Sequence, residues 1–204
     1  MRKQHLLSIL LFNDTPMPVR FRHDQKDNSI YFVTFTCFKW KWLFDLSGSW
    51  NTAYKWFDAL FSKEIRVTGY VVMPNHIHSL LFFPQMSKSL NTIIGNAKRF
   101  MAYDIIAGLE EKKHVTLLDE LHGCVKKNQK KKGQRHKVFE DSFDAKECRS
   151  REFIKQKLDY IHKNPVSKRW QLVNDYTEYP YSSASFYEKG IKRYENLLHV
   201  AEVW

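Results

Sequence analysis

The segment from Ile65 to Phe83 constrains the fold more than any other part of this 204-residue chain. Ile65–Met73 and His76–Phe83 are two strand-like runs broken only by Pro74-Asn75, a turn dipeptide, so together they predict a β-hairpin. Ile30–Phe38 is a further strand signal, rich in β-branched and aromatic residues on both faces, and it belongs in the middle of a sheet. Helical patterns fill the gaps. Ser47-Gly48-Ser49 offers a start for a helix bearing Trp50, Tyr54, Phe57 and Phe61. Ser87 or Ser89 caps a second, whose apolar stripe is Leu90, Ile93, Ile94, Ala97, Met101 and Ile105. Val138-Phe139 suggests a short edge strand. A third helix runs from Lys146 to Lys163 on Phe153, Ile154, Leu158 and Ile161, and Asn164-Pro165 ends it. The order βαββα(β)α predicts an α+β fold: a ferredoxin-like antiparallel sheet with helices on one face, plus a C-terminal helix.

Composition permits such a domain and excludes several others. Apolar residues make up 43% of the chain, enough for a core. Seven Gly and six Pro exclude collagen-like and low-complexity classes. Cys37, Cys124 and Cys148 form no CxxC pair, which supports neither a disulfide framework nor a zinc ribbon and suits a reducing cytoplasm. Arg2 and Lys3 before the apolar run Leu6–Phe12 superficially resemble a signal peptide. That run holds Ser8 and ends in Asn13-Asp14-Thr15-Pro16 without a small-residue cleavage site. No stretch approaches the ~18 apolar residues that span a membrane. The expected organisation is an N-terminal extension (1–25), one domain (26–187) and a C-terminal tail (188–204).

Thirty-three Lys and Arg against 22 Asp and Glu give a net charge of +11, which points to a polyanionic partner. Much of the excess is local. Residues 122–139 carry seven cations (Lys126, Lys127, Lys130, Lys131, Lys132, Arg135 and Lys137) and no acid, and without them the charge falls to +4. Such a stretch reads as a solvated loop that can also order on nucleic acid. Lys98 and Arg99 lie off the apolar stripe of the second helix, facing water or a phosphate backbone. Aromatics are 15% of the chain. Tyr31, Trp40, Trp42, Trp170 and Tyr176 are candidate stacking platforms for single strands, although each reads more readily as a core residue.

His76-Ile77-His78 is the most informative tripeptide. On a strand the two imidazoles share a face about 7 Å apart and can converge on one metal ion. They can also be ordinary polar residues on an open face, and the tripeptide alone leaves both readings standing. On the third helix Tyr160 and Asn164 are one turn apart, beside the core stripe, with Lys157 nearby. A tyrosine there is ordinarily packing, and an Asn before Pro is ordinarily a terminator.

Taken together these blocks resemble a known family. Gly69 to His78, with its Met73-Pro74-Asn75-His76-Ile77-His78 core, is similar to the metal-binding block of the HUH single-tyrosine transposases, especially the REP-associated tyrosine transposases. Lys157 to Val166 resembles their catalytic-helix block, Tyr179 to Ala184 their C-terminal block, and Val138 to Phe143 their aromatic segment before the helix. The blocks run in the family's order between about Ile30 and Tyr187.

The resemblance implies His76, His78 and Asn164 as ligands of Mg²⁺ or Mn²⁺, and Tyr160 as nucleophile on the C-terminal catalytic helix. It also implies a metal-dependent endonuclease and strand transferase that works through a 5′-phosphotyrosine on single-stranded DNA beside a hairpin. Residues 1–20 and 122–139 match no block of the family. Two other classes compete: a non-catalytic nucleic-acid-binding module, and a metal-dependent hydrolase using water. An RNA-recognition domain would need an aromatic signature that is not evident in the sequence. A homodimer is as compatible with the chain as a monomer.

Overall fold

A computed structural model describes residues 26–204. The expected N-terminal extension, residues 1–25 with the apolar run Leu6–Phe12, lies outside the described residues. Four antiparallel strands form one sheet: β1 (Ser29–Thr36), β2 (Arg66–Met73), β3 (His76–Phe83) and β4 (Asp144–Cys148), in the order β2-β3-β1-β4. This is the ferredoxin-like order of a split β-α-β unit. The hairpin forms as expected, with Met73 opposite His76 across Pro74-Asn75. β1 lies between β3 and β4, which explains its two apolar faces.

Strand alternation divides the core in two. Tyr31, Val33, Phe35, Tyr70, Val72, Ile77, Leu81 and Phe83 face helices α2 (Thr52–Phe61) and α3 (Leu90–Glu111). Ser89 caps α3 by accepting a hydrogen bond from the Thr92 amide, and the expected stripe is buried to the last residue and extended by Leu109. On the opposite face Ile30, Phe32, Val71, Met73, Leu80 and Phe82 pack against Ile154, Leu158 and Ile161 of the C-terminal helix α6 (Arg151–Lys163). At Gly69 a Cβ would come within 2.7 Å of Leu158 Cδ2, so the glycine lets α6 sit close on β2.

Three boundaries differ from the sequence expectation. Ser47-Gly48-Ser49 ends a short helix, α1 (Leu43–Ser47), because Gly48 takes the left-handed conformation that stops it, and α2 begins only at Thr52. Val138 and Phe139 are buried core residues with a single bridge from Phe139 to Cys37. The edge strand is instead β4, paired with β1. The third predicted helix begins at Arg151 and not at Lys146, because Ser150 accepts from the Phe153 amide and sets the start.

The basic stretch 122–139 is also not a plain loop. It holds the end of α4 (Val115–Gly123) and a short α5 (Lys127–Lys130). The segment Tyr179–Ala184 runs along the outer edge of β2. The Val72 amide donates to Tyr181 O at 2.8 Å and the Ser183 amide to Tyr70 O at 2.9 Å, covering an edge that would otherwise be open. α7 (Ala184–Lys189) follows, and Tyr194 and Leu197 return into the α2/α3 core. No helix among the described residues is long and apolar enough to cross a membrane.

Candidate active site

At one end of the α6 face the apolar strand positions give way to polar ones. β1 supplies Thr34 opposite His78 and Thr36 opposite His76. His76 and His78 are both almost fully buried, with ring centroids 4.6 Å apart. α6 reaches this end with its last turn and places the half-exposed Tyr160 ring 5.0 Å from His78, edge-on. One turn later Asn164 starts a 3-10 turn with Pro165 and is buried. These four side chains line one open pocket of about 430 Å³.

The hydrogen bonds around the imidazoles decide which nitrogens face the pocket. Asn75 Nδ2 donates to Trp40 O at 2.8 Å, so its Oδ1 is the atom turned to His76 Nδ1, 2.7 Å away. His76 therefore carries its proton on Nδ1 and leaves the Nε2 lone pair to the pocket. His78 Nδ1 lies 2.6 Å from Thr34 Oγ1. His78 Nε2 and Asn164 Oδ1 are buried without a hydrogen-bond partner.

Both imidazoles are held neutral. Burial first, then the Arg169 cation, bring His76 down to about 3 against the neighbouring Asn164 amide. Burial, the adjacent His76 and Lys157 push His78 well below its usual value. Two neutral imidazoles with ring centroids 4.6 Å apart, beside an orphaned amide oxygen, are a donor set that a divalent cation takes. Among the described residues no three His, Cys, Asp or Glu side chains converge, so a metal here relies on the Asn164 amide and on water besides the two histidines.

Lys157 lies within 5.9 Å of the Tyr160 ring centroid and stacks on Phe32 and Phe153. His162, two residues after Tyr160, faces inward. Its Nε2 is 2.9 Å from Ser183 Oγ, which itself bonds the Tyr70 backbone, so α6 is tied to the segment along β2. Burial lowers His162 to about 4. Sequence reasoning missed Asn75, Thr34, His162 and Ser183 as parts of this site. Asn75 was legible only as a turn residue, and the other three depend on strand register or on a long-range contact.

The expected DNA-facing cations separate into two groups. Arg99, Lys132 and Arg135 line a groove of about 710 Å³ between α3 and residues 129–141, on the α3 side of the sheet and away from the histidines. Lys127, Lys130 and Lys131 are exposed nearby, and Lys126 pairs with Asp141 at 3.1 Å.

Lys98 and Lys137 correct the expectation, because both point inward. Lys98 Nζ donates to the carbonyls of Glu140 (3.0 Å) and Ser142 (2.6 Å), and burial lowers it to about 8. Lys137 is buried and paired with Asp141. Burial would raise the Asp141 carboxyl, but hydrogen bonds from Lys137, Lys126 and Gln129 hold it at about 2. Of the candidate stacking residues, Tyr31 is core, Trp170 and Tyr176 are partly buried, and Trp40 and Trp42 are exposed.

No family model matches the sequence, and no curated protein matches it. Among solved structures, the chain superposes on a REP-associated tyrosine transposase bound to a REP hairpin, with a TM-score of 0.56 and 15% identity, over 86% of this chain and 88% of that one. At that identity the likeness speaks for architecture: this chain is built on the fold of the REP-associated tyrosine transposase.

Proposed function

We propose that the protein is a transposase-like, metal-dependent enzyme that nicks and joins single-stranded DNA beside a hairpin, through a covalent bond to Tyr160. The observation that carries this reading is the convergence of two neutral buried imidazoles, an orphaned amide oxygen and an exposed phenol in one pocket. Other buried polar atoms also lack partners, among them Ser79 Oγ and Trp56 Nε1 in the α2/α3 core, each at a cost of ~1–3 kcal/mol. What distinguishes His78 Nε2 and Asn164 Oδ1 is that their residues share one open pocket with a phenol. The solved structure that shares the fold holds a DNA hairpin, and the cations along α3 and residues 126–135 suit the same polyanion.

His76, His78 and Asn164 would hold Mg²⁺ or Mn²⁺, with water completing the shell. Such an ion supplies Lewis-acid neutralisation of the non-bridging phosphate oxygens. The chain's own residues do the rest. Packing of Ile154, Leu158 and Ile161 fixes α6, and with it the direction of the Tyr160 hydroxyl. Phenols are weak nucleophiles at neutral pH, so alignment with the phosphorus is the main contribution of the helix. The Tyr160 oxygen forms a bond to phosphorus, the bond to the 3′ oxygen breaks, and the phenolic proton passes formally to that oxygen. A 5′-phosphotyrosine and a 3′-OH result, and attack by another 3′-OH reverses the step without ATP. Lys157, beside the phenol and the phosphate path, counters charge that builds on either.

The test is an SDS-resistant adduct on hairpin-bearing single-stranded DNA with Mn²⁺. The adduct is expected with the parent and absent with Tyr160→Phe, whose DNA binding persists. Cleavage that survives in Tyr160→Phe would replace the tyrosine by a water nucleophile, and full activity in His76→Ala/His78→Ala would remove the metal assignment.

A further inference from the structure

The same pocket has a lip that the chemistry above does not use. Trp40 stands at its edge, 46% exposed, with its ring 5.7 Å from His76. Trp170 lies 5.5 Å from the same imidazole. The Arg169 guanidinium stacks on both indoles, 4.6 Å from the Trp40 ring and 4.9 Å from the Trp170 ring. Trp42, 43% exposed, continues the row 6.3 Å beyond Trp170. Single exposed aromatics need no explanation, but three indoles and an arginine in one contiguous row beside a polar pocket do.

The backbone is arranged to keep Trp40 there. Lys39 and Trp40 both take left-handed conformations, with φ of 52° and 56°, which non-glycine residues rarely adopt. The turn is held by the Trp40 amide on Cys37 O, by Glu140 Oε1 on the Lys39 amide and by Asn75 Nδ2 on Trp40 O. Asn75 is also the residue that fixes the His76 tautomer, so one side chain joins the lip to the histidine pair. Strain retained by several independent bonds marks a conformation that serves a purpose beyond packing.

The charges choose the ligand. Lys163 and Arg169 line the pocket, and its one carboxylate, Asp159, is paired with Lys155 at 2.9 Å. A guanidinium stacked on two indoles, with Lys163 on the same pocket wall and the one lining carboxylate paired, suits alternating phosphates and bases better than a peptide.

We propose that Trp40, Arg169 and Trp170 form a clamp for the unpaired nucleotide next to the scissile phosphate, the indoles stacking on its base and the guanidinium pairing with its phosphate. The proposal rests on the transposase-like reading for the word scissile, but base stacking itself is independent of cleavage. The guanidinium now between the indoles marks the slot that a planar base fills.

The test uses the full chain carrying Tyr160→Phe, without metal, and two fluorescent oligomers: an oligothymidylate and its abasic counterpart with the same phosphates. The oligothymidylate is expected to quench tryptophan emission and to bind about tenfold tighter than the abasic oligomer. Trp40→Ala and Trp170→Ala are expected to erase that difference, Trp40→Phe to keep part of it, and Arg169→Ala to weaken both oligomers alike.

Undiminished base discrimination in both tryptophan variants, checked as folded by circular dichroism, overturns the clamp even if the parent forms its adduct. Loss of the adduct with discrimination intact overturns the cleavage reading and leaves the clamp. Binding of neither oligomer at low salt also overturns the clamp.

Discussion

The two faces of the sheet are made by the same strands and do different work. On the α2/α3 face every inward position of β1 and β3 is apolar except Ser29 and Ser79, and the core runs nearly the full length of the strands. On the α6 face the strands begin apolar with Ile30, Phe32, Leu80 and Phe82, then turn polar at Thr34, Thr36, His76 and His78, although these last two are just as buried. Burial with a satisfied hydrogen-bond set builds stability. Both faces hold buried polar atoms without partners, Ser79 Oγ and Trp56 Nε1 on the α2/α3 side and His78 Nε2 and Asn164 Oδ1 on the α6 side. Only the latter pair belongs to residues that line the pocket with Tyr160, where such a cost serves a site.

Adjacent residues on one strand break or sharpen that contrast most strongly. Ile77→Ala, on the α2/α3 face, is expected to cost ~2–5 kcal/mol in urea unfolding, because it empties a closely packed site. His78→Leu, one residue along on the other face, is expected to leave the melting temperature at or above that of the parent while abolishing the Mn²⁺-dependent adduct. A loss of stability in His78→Leu as large as in Ile77→Ala would make the polar end of the sheet a structural device.

The same contrast explains what was legible in the sequence. The α2/α3 face was readable because α3 repeats its apolar residues at helical spacing, and β1 and the hairpin are strongly strand-forming. β4 was not, because Asp144-Ala145-Lys146-Glu147-Cys148 is an edge whose outward positions are charged, so pairing with β1 creates the strand where propensity does not. At the site, the shared face of His76 and His78 follows from strand alternation, and the proximity of Tyr160 and Asn164 from one helical turn. What brings the pairs together is the seating of α6 over Gly69, a tertiary contact with no local signature. Asn75, Thr34 and Trp40 act through backbone and register, and single-residue reading cannot see them. Charge misled where it was densest, since Lys137 is compensated by Asp141, just beyond the acid-free run.

A second prediction separates the faces by pH. His162 is neutral when buried, at about 4, against 6.5 for an ordinary imidazole. Between those values the unfolded chain binds a proton that the folded chain does not, so stability rises with pH through this window. The contribution is complete above pH 6.5 and is lost as pH falls towards 4, to the extent of ~3 kcal/mol. His76, at about 3, and His78 are depressed in the same direction and steepen the same limb. His162→Gln is expected to lower the slope of metal-free unfolding free energy against pH by about one proton between pH 4 and 6.5. An unchanged slope would mean that His162 is protonated in the folded state, and that its contact with Ser183 is not the neutral hydrogen bond inferred.

The smallest expected effect concerns the cations, and it tests whether position or charge count would govern the DNA binding proposed above. Arg135, Lys132 and Lys137 all border the groove beside α3, but Arg135 and Lys132 are exposed, whereas Lys137 is buried and bonded to Asp141. A phosphate contact releases counterions, so removing one is expected to reduce the slope of log affinity against log salt by ~1. Arg135→Gln and Lys132→Gln should each do so without moving the melting temperature. Lys137→Gln removes the same formal charge but should lower the melting temperature and leave the salt slope intact, because that ammonium is already neutralised inside the protein. Equal salt slopes for all three variants would mean that net charge alone steers the DNA. A slope that falls only for Arg135 and Lys132 makes the groove along α3 the electrostatic track, on the far side of the sheet from Tyr160, and requires DNA long enough to reach both.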